Sequence, residues 1–310
     1  MHTHSTRDKR VALATLLAAG LNQSQAAREL KVDRSTISRE LSNNSNAAGK
    51  YYADYADRLA KKRRRNSKKG YRLIENNSSL ANRIESMLDP LTSPETVAHE
   101  VGIVHETIYA WINRARRDLL PKLPQRGRKR RRYGSKREKK QGWTANVRPI
   151  DERPAIVETR TRIGDWEGDT AKGKHGALLP YTERTSRFVV AALIPNEGAD
   201  VTHTETRRMF AALEPETITY DRGSSFSLWQ MIEKDTGADV YFARARHPWE
   251  RGTEENTIGR IRRIFPKGFD FASIVQEDLD QVTWKMNHTP RKILNWRTPC
   301  AVLGKCCVSS

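Results

Sequence analysis

The second half of the chain alternates between strand-like and helix-like hydrophobic patterns, and this restricts the folds open to it. Strand-like runs occupy residues 178–194, 217–220 and 240–242. Apolar residues at helical spacing lie in residues 201–213, 226–232 and 279–286. Strands followed by alternating helices and strands predict a mixed α/β layer fold from about residue 155 onward.

The N-terminal part of the chain has a helical pattern instead. A first helix is predicted within residues 6–19 and ends at Gly20, a second is capped by Ser24, and a third follows Asp33. Ser and Asp side chains accept hydrogen bonds from the first backbone amides of a helix. A helix joined by a short turn to a polar helix is the helix-turn-helix arrangement, and the last helix of that arrangement enters the major groove of DNA.

The third predicted helix, residues 34–41, has one apolar and one polar side. Ile37 and Leu41 are expected to face inward. Short hydroxyl donors and arginines reach base edges in the major groove. The outward positions predicted to contact DNA carry such side chains, namely Arg34, Ser35, Ser38 and Arg39. A plain three-helix bundle is the alternative interpretation.

The charge of the chain indicates a polyanionic partner. There are 56 Lys and Arg against 37 Asp and Glu, a formal net charge of +19, which favours nucleic acid over a membrane surface. The excess is concentrated in two tracts. Residues 61–72 hold eight Lys/Arg and no acid, and residues 126–140 hold ten with Glu138 as the one acid. Both tracts are predicted to bind backbone phosphates or to act as linkers.

A second helical region is predicted after the first basic tract. Apolar residues at helical spacing predict a helix from Leu80 to Leu88. A second helix is predicted to start at Ser93-Pro94, and a third lies within residues 105–117. This region is either a second DNA-binding unit or a packing domain. The predicted domains are a helix-turn-helix domain at residues 1–45, a second helical region with the basic tract at 46–120, a basic linker at 121–150 and the mixed α/β domain at 151–305.

The chain has no sequence signal for export or membrane insertion. The three cysteines, Cys300, Cys306 and Cys307, lie near the C-terminus without a zinc-type spacing. The N-terminal residues lack an apolar core, and the apolar stretch near residues 11–19 is too short to span a bilayer. We expect a cytoplasmic protein that associates with the nucleoid by binding DNA, with no membrane partner.

Carboxylates occur where strand or helix ends can hold them over a cleft. In residues 165–170, strand alternation puts Asp165, Glu167 and Asp169 on one face, and spacing alone does not choose among them. Asp221 directly follows another strand-like run. Carboxylates from separate segments can hold magnesium, and two such ions can promote phosphodiester displacement.

A third carboxylate, Glu255, lies just inside a predicted helix that Thr253 can cap. That helix is expected to bury Ile258 and Ile261. Its exposed side is predicted to hold DNA phosphates with three basic residues, Arg260, Arg262 and Arg263.

Several strings resemble the insertion-sequence-thirty family of bacterial transposases. In the second half they are IGDWEGDT, TERTSRF, ITYDRGSSF, WERGTEENTIGRIRRIFPKG and PRKILNWRTP. In the first half, residues 3–42 resemble that family's helix-turn-helix, and SPETVAHEV with HETIYAWI resembles its second helical region. One departure follows Asp221, where the family usually has Asp-Asn-Gly and a Glu-Phe pair. Here Ser225 stands in place of the accessory acid.

The resemblance implies an RNase H-like catalytic domain with Asp169, Asp221 and Glu255 as both catalytic triad and metal ligands. It implies two Mg²⁺ ions per site, for which Mn²⁺ can substitute. The expected activity is metal-dependent cleavage and strand transfer at the terminal inverted repeats of the chain's own insertion sequence. The expected partners are double-stranded DNA and further copies of the chain, at least as a dimer, because two element ends must be brought together.

Two other functions remain open from the sequence. A catalytically decayed chain would bind the element's ends and repress its own gene. A structure-selective nuclease on the same fold would cut DNA without joining it.

Overall fold

The computed structural model describes residues 6–67, 72–125, 146–244 and 247–304. The basic tract 126–140, together with Cys306 and Cys307, lies outside these ranges. The chain forms two compact units, Met1–Ser78 and Ser79–Ser310. No helix within the described ranges is both long and apolar enough to cross a bilayer.

The first unit is helical. Its helices are α1 (Arg7–Ala18), α2 (Gln23–Glu29), α3 (Arg34–Asn44) and α4 (Ala53–Asn66). Leu13 of α1 and Ile37 of α3 are buried against Ala26 and Ala27 of α2, and these small side chains let the helices approach closely. The three helices predicted from the N-terminal pattern are therefore confirmed.

Two local features of this unit differ from the sequence analysis. The cap of α2 is Asn22 rather than Ser24, because the Asn22 side chain accepts hydrogen bonds from the amides of both Ser24 and Gln25. Residues 61–66 of the first basic tract belong to α4 instead of a linker. Arg63 fixes this part of α4 by donating to the Asn43 carbonyl and the Asn44 side chain.

The second unit contains both helices and strands. Its helices are α5 (Ser78–Met87), α6 (Pro94–Val101), α7 (His105–Ala115), α8 (Ile156–Thr159), α9 (Ala199–Phe210), α10 (Trp229–Thr236), α11 (Gly252–Ile261), α12 (Gln276–His288) and α13 (Pro299–Leu303). Short 3₁₀ helices lie at Arg117–Lys122, Ile150–Glu152, Ser224–Phe226, Pro248–Arg251, Phe271–Ser273 and Lys292–Leu294. Its strands are β1 (Asp165–Gly168), β2 (Ala171–Lys172), β3 (Ala177–Glu183), β4 (Val189–Ile194), β5 (Thr217–Tyr220) and β6 (Asp239–Phe242).

The strands form one mixed sheet in the order β2-β3-β1-β5-β6, with β4 also paired to β3. β1 runs antiparallel to β3 and parallel to β5, and β5 runs parallel to β6. The mixed sheet, preceded by a helical N-terminal region, confirms the predicted fold class.

Apolar side chains on the two faces of the sheet build separate cores. On one face, Trp166, Tyr181 and Tyr220 pack with Phe210 of α9 and Ile232 of α10. On the other face, the core joins strands β3 and β4 to α11 and α12, through Leu178, Val189, Ile258, Ile261, Leu279 and Met286. The sheet is therefore covered on both sides.

Candidate active site and DNA-binding helix

Two adjacent parallel strands end in aspartates. In the β1–β5 pairing, Trp166 lies opposite Ile218 and Glu167 opposite Thr219. Continuing this register by two residues places Asp169 beside Asp221, just beyond the last residues of the strands. Carboxyl ends of adjacent parallel strands are common positions for ligand-binding side chains.

The structure distinguishes among the three acids that share one face of β1. The Asp165 carboxylate is buried and pairs with Arg162, and Thr217 also donates to it. The Glu167 carboxylate is fully buried and pairs with Arg184 at 2.5 Å. Asp169 is only partly buried, with its side chain 24% exposed. Asp165 and Glu167 are thus engaged within the protein, and Asp169 faces the cleft.

Glu167 also fixes the start of α11. Its Oε2 accepts hydrogen bonds from the backbone amides of Thr253 and Glu254, each at 3.0 Å. A carboxylate at the N-terminus of a helix satisfies amides that have no partner inside the helix and interacts favourably with the helix dipole. This contact holds α11 against the end of β1.

Arg251 lies between the two cleft aspartates. Its Nη1 is 3.3 Å from Asp169 Oδ2, and its Nη2 is 3.5 Å from Asp221 Oδ2. Nη1 also donates to the Gly168 carbonyl at 3.2 Å. The two carboxylates therefore share one cation. Arg251 was not among the predicted site residues, although it lies inside the WERGT string and directly precedes α11.

A backbone amide donates to the Oδ1 atom of each aspartate, whereas Arg251 lies beside the Oδ2 atoms. The Thr170 amide donates to Asp169 Oδ1 at 2.7 Å, and the Gly223 amide donates to Asp221 Oδ1 at 2.9 Å. Burial raises the pKa of Asp169, and the charge of Asp221 adds to this rise, whereas Arg251 opposes it. The site therefore disfavours two unpaired negative charges and favours a cation between them.

The two glutamates in the first turn of α11 occupy different environments. Glu255 is exposed and lines a surface depression with Gly252, Asn256 and Arg263. Glu254 is fully buried, and both of its carboxylate oxygens lack a hydrogen-bond partner within the described residues. No three His, Cys, Asp or Glu side chains in the described part of the chain lie close enough to hold a metal ion together. The structure thus brings Asp169 and Asp221 together but does not add Glu255 to them.

Burial raises the pKa of Glu254 well above its usual range, with the charges of Asp169 and Glu167 adding to the rise. A pKa that is higher in the folded than in the unfolded state favours folding at low pH. That contribution is lost as the pH rises through the folded pKa. We expect Glu254→Gln to be more stable than wild type at pH 8 by about 1–3 kcal/mol, because glutamine is neutral at every pH and the buried acid is not. The difference should shrink at pH 5.

The control for this prediction is Glu255→Gln, which changes an exposed carboxyl in the same turn. Chemical denaturation of both variants at the two pH values measures the effect. A Glu254→Gln protein that is less stable than wild type at pH 8 contradicts the raised pKa of the buried Glu254 carboxyl.

Gly168 is required by close packing next to Asp169. A Cβ at this position would lie 2.5 Å from Tyr181 Cε1 and 2.7 Å from Tyr220 Cε1. Both rings are fully buried, and their hydroxyl groups are 2.9 Å apart. The interior around Gly168 therefore has no space for a methyl group.

We expect Gly168→Ala to lower the free energy of unfolding by about 1–3 kcal/mol, as overpacking does in cores. Gly259→Ala is the matched control, since a Cβ there meets no described atom within 4 Å. Because Gly259 is inside α11, the control should gain about 0.5–1 kcal/mol. Thermal unfolding measures both changes, and equal midpoints for the two variants would disagree with the packing at Gly168.

The four predicted DNA-contacting residues share the exposed side of α3. Arg34, Ser35, Ser38 and Arg39 are all exposed, while Ile37 is buried. The Asp33 side chain caps the helix by accepting from the Ser35 amide at 2.7 Å. The face of α3 that carries these residues is thus available to a DNA groove.

The arginines of α11 are not all on its exposed side, which corrects an expectation of the sequence analysis. Arg262 is exposed. Arg260 is 9% exposed and donates to the Leu91 carbonyl, and Arg263 is partly buried and donates to the Pro90 carbonyl. The helical period alone did not reveal that residues 90–91, distant in sequence, cover this side of the helix.

Comparisons with known proteins found similar sequences and a partial structural match. Residues 6–44 match the family described as "Helix-turn-helix domain". The chain is 33% identical over 315 residues to "Transposase for insertion sequence element IS4351" of Bacteroides fragilis, covering 96% of this chain and 95% of that protein. It is 29% identical over 323 residues to "Transposase InsI for insertion sequence element IS30A" of Escherichia coli, covering 97% and 84% respectively. The solved catalytic core domain of BIV integrase is 18% identical, with a TM-score of 0.37, and the match covers 45% of this chain and 93% of that one.

A helix-turn-helix unit followed by a mixed-sheet unit with aspartates at adjacent strand ends, together with these relatives, identifies a DNA-binding protein of the transposase class. The 33% identity to the IS4351 transposase extends over nearly the full length of both chains and shows the family. The chain belongs to the insertion-sequence transposases, in the family that includes the IS30 elements.

Proposed function

We propose that this transposase binds the terminal inverted repeats of its own insertion sequence and both cuts and joins DNA at a magnesium-dependent site. Asp169, Asp221 and Glu255 are the proposed catalytic residues and metal ligands. The observation that carries the proposal is the pair of aspartates at the ends of β1 and β5, which share the cation of Arg251.

The donor set suits magnesium. Mg²⁺ is usually held by one or two carboxylates together with water and substrate phosphates. Asp169 and Asp221 supply two carboxylates that already face a common positive charge. Glu255, exposed in the first turn of α11, is the third proposed ligand. We propose two Mg²⁺ ions per site, with Mn²⁺ able to substitute.

The residues of the chain have distinct roles in this proposal. When bound, the metal ions activate water and stabilise the leaving oxygen of the phosphodiester. The amides of Thr170 and Gly223 keep the two aspartates oriented before DNA arrives. Arg251 lies between the two aspartates and would add positive charge to the site that attracts DNA phosphates. Tyr220 is fully buried in the core, so a tyrosine nucleophile beside Asp221 is not part of the proposal.

The N-terminal unit accounts for recognition in this proposal. Arg34, Ser35, Ser38 and Arg39 on α3 would contact base edges of the repeats, and Arg262 would contact a phosphate. The basic tracts would add affinity that falls with salt. Because two element ends must meet for joining, we propose that at least two copies of the chain act together.

One experiment tests the proposal against its two rivals. The purified chain is incubated with DNA carrying the repeats that flank its gene, with Mg²⁺ or with EDTA, and nicked and joined products are scored. The proposal expects both products with Mg²⁺ and neither with EDTA. Binding without cutting identifies a repressor, and cutting without joining identifies a nuclease. Either outcome overturns the proposed function.

A further inference from the structure

A polar cavity of about 390 Å³ lies beside the first turn of α11, within the second unit. Five cationic side chains line it, against one carboxylate, that of Glu95. Glu95 is already paired with Lys292 at 2.7 Å. The remaining cationic residues are Arg187, Arg260, Arg263 and Arg291. The lining is therefore strongly positive.

Three of these arginines, in the part of the chain that the structure describes, contact only neutral oxygens. Arg187 donates to Thr253 Oγ1 at 2.9 Å. Arg260 donates to the Leu91 carbonyl at 3.2 Å, and Arg291 donates to the Met286 carbonyl at 3.3 Å. The Nε atom of each is buried without a hydrogen-bond partner among the described residues.

The arginines also repel one another. Burial lowers the pKa of Arg291, and the charges of Arg260 and Arg187 lower it further. Burial likewise lowers the pKa of Arg260, with Arg263 adding to the effect. Unpaired buried charges are costly, and an anion that accepts from several guanidinium groups removes that cost. Phosphate is the anion whose geometry guanidinium groups match best among those that a DNA-binding protein meets.

The position of the cavity indicates where such a phosphate would come from. Gly252, Asn256 and Arg263 line both this cavity and the adjoining depression that Glu255 lines. A DNA strand that places one phosphate among the arginines would therefore have a neighbouring part of its backbone close to Glu255. Arg260 of the cavity and Glu255 of the proposed active site lie on the same helix, α11.

We propose that the cavity formed by Arg187, Arg260 and Arg291 binds a backbone phosphate of the DNA strand that enters the active site. This assignment rests on the proposed function and extends it by naming a phosphate contact. The arginines would hold the strand in register before any bond is broken.

The test measures binding without catalysis. The full chain is titrated in EDTA with a labelled short single-stranded oligonucleotide, and its thermal unfolding is followed with and without inorganic phosphate. The variants are Arg187→Gln, Arg291→Met and Arg291→Lys. Arg208→Gln is the matched control, since Arg208 is exposed on α9, pairs with Glu205 and lies outside the cavity.

Arg187→Gln and Arg291→Met should each weaken oligonucleotide binding by about tenfold or more, as loss of a charged hydrogen bond does. The salt slope should fall by about 0.7, the value for one single-strand phosphate contact. Arg291→Met should keep the unfolding midpoint of the free protein but lose the rise produced by phosphate. Arg291→Lys should lie between Arg291→Met and wild type, because lysine keeps the charge without the planar fork.

Three results would overturn the proposal. One is that Arg187→Gln and Arg291→Met bind the oligonucleotide as tightly as Arg208→Gln. Another is that phosphate stabilises wild type while the oligonucleotide binds independently of the arginines, which assigns the cavity to free phosphate. The third is that the variants only lower the midpoint of the free protein, which makes the cluster structural. The binding and unfolding measurements are made in EDTA, so they do not depend on whether the chain cleaves DNA.

Discussion

Replacing Asp221 with asparagine is expected to lower the rate of strand cleavage at the repeats by a factor on the order of 10³ or more. Asparagine has the same shape but no charge, so Arg251 loses one of its two carboxylate partners and the proposed metal site would lose one ligand. The Gly223 amide can still donate to the side-chain oxygen. The fold should therefore persist, and the affinity for repeat DNA should stay within about twofold.

Cleavage rates with Mg²⁺ and anisotropy of labelled repeat DNA test this prediction together. Asp235→Asn is the control, since Asp235 pairs with His203 and lies on α10, away from the cleft aspartates. If Asp221→Asn cleaves within tenfold of wild type, Asp221 is not a metal ligand for the reaction.

Replacing Arg10 with methionine is expected to destabilise the N-terminal unit by about 3 kcal/mol. Arg10 is buried and joins three helices, because Nε donates to Glu40 at 2.8 Å and Nη1 donates to Asp57 at 3.0 Å. Methionine fills similar space but leaves two shielded carboxylates without this partner. Since α3 is held by this contact, repeat binding should fall with the stability of the unit.

Arg7→Met is the matched control, because Arg7 forms an ion pair with Asp54 that is exposed on both sides. Thermal unfolding and repeat binding of the two variants are compared at the same temperature. An Arg10→Met protein as stable as Arg7→Met contradicts the structural role of the buried pair.

The sequence predicted the elements whose hydrophobic period is strong. The run in β4 is a continuous apolar segment, the run in β5 alternates threonine with Ile218 and Tyr220, and the α3 period separates Ile37 from the exposed polar positions. Short elements such as β2 and α8 were missed, because two to four residues do not establish a period. The helix α4 was also missed, and its last six residues, all Lys, Arg or Asn, contain no apolar position that could establish a period.

The candidate site was predictable only in part. Alternation along β1 could not choose among Asp165, Glu167 and Asp169, since the arginines that pair with the first two come from outside the strand. The arginine cavity was missed for a related reason. Arg187, Arg260 and Arg291 lie far apart in sequence, and only the folded chain brings them to one cavity.

The domain boundaries 1–45, 46–120, 121–150 and 151–305 remain predictions. Within the second unit, residues of the second helical region contact helices that pack on the sheet, as shown by the ion pair between Asp89 and Lys285 of α12 at 2.5 Å. The His99 ring also stacks on Trp296 with 4.1 Å between ring centroids. These contacts favour a packing role for α6 and the segment before it, which was one of the two interpretations of this region.

The most direct test of the proposed site compares two neighbouring glutamates in one assay. Cleavage of repeat DNA with Mg²⁺ is measured for Glu255→Gln and Glu254→Gln. We predict that Glu255→Gln binds the repeats but cuts at least about a thousandfold more slowly, as a lost metal ligand would. Glu254→Gln should cut at close to the wild-type rate, since that side chain is enclosed by protein. A Glu254→Gln protein that cannot cut, beside an active Glu255→Gln, would contradict the proposed set of Asp169, Asp221 and Glu255.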